Sequence, residues 1–130
     1  MAKVTVSSKV ESLSVAKGTG KDNALNRSQK EVQNAIRSCV QAEVTLIRAK
    51  REEKSAWEDS DNARLGAAVR KSADAKVIAQ AQREGLAVVV KNAHRGIHVD
   101  LPNGAKGINH SGLLVWINGD SLLRYARSIA

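Results

Sequence analysis

From residue 28 to residue 84 the chain contains no proline and a single glycine, Gly66, and its apolar residues recur at helical spacing. Five alanines, Ala35, Ala42, Ala49, Ala56 and Ala63, fall on every seventh position. Seven residues make two helical turns, so these alanines form one stripe of very small side chains along a helix. Val32, Ile36, Cys39, Val40, Leu46 and Ile47 flank the stripe and complete an apolar face. Such a stripe lets a second helix approach closely, so Val32, Ala35, Ile36, Cys39, Ala42, Leu46, Ala49 and Ala56 are read as a helix-packing seam.

Ser28-Gln-Lys-Glu31 has the form of a capping box and predicts the helix start, and Gly85 predicts its stop. Asp59-Ser-Asp-Asn62 interrupts the pattern with residues that favour caps and turns. Two arrangements follow. One continuous helix over 28–84 would be about 85 Å long and would need a partner chain to cover its seam. A hairpin folded at 59–62 can bury the seam internally and is the preferred reading.

The flanks read differently. Val4, Val6, Val10, Leu13 and Val15 alternate with polar residues and predict a short strand or β-hairpin arm. Lys17–Asn23 reads as a polar, glycine-containing connector. After Gly85, the runs Leu86–Val90, Ile97–Leu101 and Leu113–Ile117 have strand length, and Leu101-Pro-Asn-Gly104 fits a β-turn. Asp120 or Ser121 is placed to cap a terminal helix that turns Leu122, Leu123, Ala126 and Ile129 inward. The expected fold is therefore α+β: an N-terminal β-arm and connector over 1–27, a long helix or helical hairpin over 28–84, and a small β-sheet with a terminal helix over 85–130.

Composition changes this picture in one respect. Among 130 residues there are two tryptophans, one tyrosine and no phenylalanine, so an Ala/Val/Leu/Ile core buries little area per residue. Contact between subunits would supply more, and a homo-oligomer is expected. Cys39 is the only cysteine, which excludes an internal disulfide and points to a reducing compartment. With no apolar run long enough to span a membrane, the expectation is a cytoplasmic or otherwise intracellular protein without a membrane partner.

The net charge is +8, from 21 basic and 13 acidic residues. Residues 1–27 carry 5 basic and 2 acidic residues, residues 28–84 carry 11 and 9, and residues 85–130 carry 5 and 2. The middle is nearly balanced and the excess lies at the two ends. Lys3, Lys9, Lys17 and Lys21 on the N-terminal arm, with Lys91, Arg95, Lys106, Arg124 and Arg127 on the C-terminal module, are candidate phosphate contacts. Scarce aromatic residues disfavour single-strand binding by base stacking, which leaves the duplex backbone as the more coherent target. An acidic protein surface would suit the same charge.

Catalytic and ligand motifs are lacking. Gly18-Thr-Gly-Lys21 lacks both the earlier glycine and the following Ser or Thr of a phosphate-binding loop. Arg64 stands where a calcium loop opening at Asp59 needs its glycine. His94, His98, Asp100 and His110 match no metal-ligand spacing and read as ordinary surface residues. Cys39 on an apolar helix face reads as a buried thiol rather than a nucleophile. The expected protein is non-catalytic and self-associating, without cofactor or metal, binding nucleic-acid backbone through its basic ends. The alternative is an assembly component or accessory factor, cellular or viral, that docks on another macromolecule through its helices.

Overall fold

In a computed structural model, the backbone is described for residues 16–130 and the side chains from Asn23 onward. The expected arm over residues 3–15 lies outside the described residues, as do Lys3 and Lys9. Within them the chain is mainly helical: α1 (Ala16–Glu58), α2 (Asn62–Lys91), α3 (His110–Asn118) and α4 (Ser121–Ile129), with β1 (His98–Val99) and β2 (Ile108–Asn109) between α2 and α3.

Helices α1 and α2 form a hairpin that breaks at Asp59–Asp61. Ser60 takes a left-handed backbone conformation at φ 55°. Asp61 then caps α2, its carboxylate accepting the Arg64 backbone N–H at 3.1 Å. The Arg64 guanidinium reaches back across the turn, donating to Glu52 at 2.8 Å, to Ser55 Oγ at 3.0 Å and to Asp59 at 3.1 Å. Its hydrogen bonds to Asp59 and Glu52 hold it still further in its charged form.

Along the hairpin, Ala42, Ala49 and Ala56 are buried on α1, and Ala68, Ser72, Ala75 and Ala79 are buried on α2. Small residues thus line both helices through the half nearest the turn, the condition for close approach. Ala35 is half-buried, and Ala63 is exposed at the start of α2, so burial of the alanine series ends at Ala56. Away from the turn the buried residues grow. Val32, Ile36, Cys39, Val40 and Val44 join Leu86, Val90, Ile97, Val99, Leu113, Trp116 and Leu122 in one core, with Leu46 half-buried and Ile47 packed at its edge.

Several expected elements differ. The connector at Lys17–Asn23 is helix: α1 begins at Ala16 and carries Gly18 and Gly20 within it, although each glycine disfavours helix by about 1 kcal/mol relative to alanine. No helix starts at Ser28, because α1 is already running from Ala16, and the Ser28 and Gln29 side chains accept instead from a distant loop. Helix α2 passes Gly85 and ends at Lys91, where the Asn92 N–H bonds the Val88 carbonyl at 3.0 Å. Leu86–Val90 is therefore helical, with Leu86 and Val90 buried four apart and Val88 exposed between them. Leu113–Ile117 is also helical: Leu113 and Trp116 are buried while Val115 faces solvent. A five-residue apolar run fits a buried strand or one side of a helix equally well, and here the neighbouring helices decide.

The expected sheet shrinks to two residues per strand, paired antiparallel with His98 opposite Asn109 and Val99 opposite Ile108. The turn at Leu101–Gly104 forms as expected, the Gly104 N–H bonding the Leu101 carbonyl at 3.1 Å with Gly104 at φ 99°. Helix α4 also forms, with Leu122 and Ala126 buried, Leu123 half-buried and Ile129 exposed. Asp120 precedes it but makes no side-chain cap bond.

Candidate nucleic-acid interface

At the end of the hairpin remote from its turn, α1 is bonded to the loop that follows α2. Ser28 Oγ accepts the His94 N–H at 2.9 Å, and Gln29 Oε1 accepts the His98 N–H at 3.2 Å. These bonds fasten one turn of α1 to the loop that follows α2. Arg27 and Lys30, on that turn, are exposed, as are Lys91 and Arg95 at the end of α2 and on the loop. None of these four cations has a carboxylate within ion-pair distance among the described residues. Glu31 is the acidic residue next to them on α1.

Arg95 is steered by His110, at the first turn of α3. His110 Nε2 lies 2.8 Å from the Val90 carbonyl oxygen and 2.7 Å from Arg95 Nη1. A ring nitrogen serves one of these at a time, as an N–H donor to the carbonyl or as an acceptor from the guanidinium. His110 is thus a buried linker between α2 and α3, correcting its reading as a surface residue. His94 and His98 are exposed. No cluster of three or more potential metal ligands occurs among the described residues.

The other candidates are dispersed. Lys17 and Lys21 ride on the first turns of α1, and their side chains lie outside the description. Lys106 lies 3.8 Å from the Asp100 carboxylate and is partly compensated. Arg124 and Arg127 face solvent on α4, which packs against α1. Sequence reasoning missed the partnership of Ser28 and Gln29 with residues 94 and 98, and it passed over Lys30. Lys30 was legible as a cation beside the capping pattern; the partnership carries no local signal.

Sequence reasoning also missed a charged pair in the seam. Glu43 is buried at 3% exposure, and its carboxylate lies 3.2 Å from Arg83 on α2. Its position next to Ala42, on the apolar face, was the available signal. Cys39, one turn earlier, is buried. Burial above all, with Glu43 adding and Arg83 opposing, pushes its thiol from 9.0 up to about 11. A thiol so held is protonated at neutral pH and is a poor nucleophile.

No family model matches the chain, and neither a curated protein nor a solved structure matches it. No helix among the described residues is long and apolar enough to cross a membrane. The class that the fold defines is a helical hairpin whose open end is filled by a small, mainly helical module.

Proposed function

We propose that this is a non-catalytic, self-associating protein that binds the phosphate backbone of duplex nucleic acid through the end of the hairpin remote from the turn. The observation that carries this reading is the pair of bonds from Ser28 and Gln29 to residues 94 and 98, which fastens the turn of α1 that carries Arg27 and Lys30 on its outer side to the loop that carries Arg95. Phosphate neutralisation needs exposed cations that no carboxylate compensates, and Arg27, Lys30, Lys91 and Arg95 are exposed without an ion-pair partner among the described residues, Arg95 being held by His110. Arg27 and Lys30 are carried within α1, Lys91 at the end of α2 and Arg95 on the loop fastened to α1. The balanced charge of residues 28–84 keeps the rest of the surface from competing.

The test is fluorescence anisotropy of a labelled mixed-sequence duplex against salt. Four phosphate contacts give a slope of log K against log salt of about −3.6, so affinity falls roughly 100-fold between about 50 and 200 mM salt. A duplex that fails to bind at about 50 mM salt overturns the reading. The second reading, an assembly or accessory protein docking through its helices, draws on Trp57, which is exposed beside Lys50, Lys54 and Leu65 near the hairpin turn.

A further inference from the structure

Helix α2 carries apolar residues outside its packed face as well. Its inner face packs on α1, yet Val69, Val77, Ile78 and Val88 are exposed. The solvent side of α1 is different, with Arg37, Gln41, Arg48 and Arg51 exposed along it. A 100° helical projection places Val77 opposite the buried stripe, with Ala73, Ala81 and Val88 on the same side among Arg70, Asp74, Gln80 and Glu84, and with Val69 and Ile78 on its two flanks. No element of the chain covers this face among the described residues.

The order of residues along the face identifies its occupant. Ala73 and Ala81 lie four residues on either side of Val77, and Arg70 and Glu84 lie seven on either side. Gly66 and Val88 lie eleven on either side. We propose that two copies of this chain meet through the outer face of α2, antiparallel, about a twofold axis at Val77. The inference deepens the self-association named above and does not depend on the phosphate contact.

Twofold symmetry makes such an interface self-complementary. Val77 meets its own copy at the axis, and Ala73 meets Ala81 of the second copy where the backbones come closest. Val88 projects over Gly66, which has no side chain of its own and is flanked by the Arg70 guanidinium. Arg70 faces Glu84 twice, once on each side of the axis. Neither residue has an ion-pair partner among the described residues, and Glu84 accepts only a long hydrogen bond of 3.4 Å from Gln80 there. A parallel pairing would instead set Arg70 against Arg70 and Glu84 against Glu84. The charge order therefore selects the antiparallel dimer over the parallel one. The contact from residue 66 to residue 88 spans about 33 Å of helix.

Sedimentation equilibrium of the full chain tests this, run from about 1 to 500 µM to bracket the affinity of a single helix pair near the lower limit of stable interfaces. The expected wild-type result is twice the chain mass at the upper concentrations. Val77→Arg places two cations on the axis and should give a monomer with unchanged circular dichroism, since Val77 is 69% exposed. Arg70→Glu alone should weaken the dimer about tenfold or more, and adding Glu84→Arg in the same chain should restore it. A wild-type monomer throughout overturns both this surface and the self-association reading while leaving duplex binding intact. A wild-type dimer that Val77→Arg does not disturb, or a charge swap without rescue, overturns this surface alone.

Discussion

Replacing Ala49 by leucine tests the seam where it is tightest. Ala49 is 3% exposed, and counting away from the turn it lies level with Ser72 on α2, between Ala68 and Ala75. All three α2 residues are small and buried, so no neighbouring side chain can swing aside to admit an isobutyl group. The helices must separate from the short end toward the long end of the roughly 8–10 Å range of helix packing, or the leucine must leave its preferred rotamers. Overpacking of this kind costs about 1–3 kcal/mol, and the rigid, small-residue surroundings place Ala49→Leu near the upper part of that range. For a domain of this size, each kcal/mol lowers Tm by about 3–4 °C, so a cost of about 2–3 kcal/mol lowers it by about 6–12 °C. Thermal unfolding followed by circular dichroism reads it directly. The control is Ala24→Leu on the exposed side of α1, which should leave Tm nearly unchanged. A Tm for Ala49→Leu equal to that of the wild type would refute close packing at this level of the hairpin.

Further outcomes follow from the buried polar groups. Arg83→Ala removes the cation 3.2 Å from buried Glu43 and should cost about 2–3 kcal/mol in urea unfolding, with Glu43→Met in the same chain recovering most of the loss. An Arg83→Ala variant as stable as the wild type would mean that Glu43 finds water or another donor. The thiol of Cys39 ionises near 9.0 when unfolded and near 11 in the fold. The native state therefore holds the proton longer, and stability is full below about pH 9 and declines as pH rises toward 11. Urea unfolding across that range should show the decline in the wild type and its absence in Cys39→Ala. Equal slopes in the two proteins would contradict the burial argument.

Parts of this fold are legible in the sequence because their chemistry is local. Asp59-Ser-Asp-Asn62 breaks the helix with residues that prefer caps, and Asp61 does cap α2. Leu101-Pro-Asn-Gly104 turns where its proline and glycine require. The alanine heptad marks buried α1 positions from Ala42 to Ala56, although its matching surface on α2 (Ala68, Ser72, Ala75 and Ala79) follows alternating spacings of four and three and does not stand out as a repeat.

Other parts depend on distant residues. Leu86–Val90 and Leu113–Ile117 are too short for periodicity to separate strand from helix, and their helical state shows only in which of them the core buries. Gly85 is a tolerated helix interior residue with no atom near its missing side chain. Ser28-Gln-Lys-Glu31 has capping chemistry, but α1 has already begun at Ala16, and the Ser28 hydroxyl is taken by the His94 amide. The same bond assembles the candidate interface. The cations were therefore visible as composition, and the contact of residues 28 and 29 with residues 94 and 98 was not.

The most direct test of the proposed interface is to titrate a short mixed-sequence duplex into isotopically labelled protein at low salt and follow the backbone amides by NMR. The account predicts the largest shifts at residues 27–30 and 91–98, all reversed by added salt, with residues 50–65 around the hairpin turn unmoved. Shifts centred on the turn, or none anywhere, would contradict it.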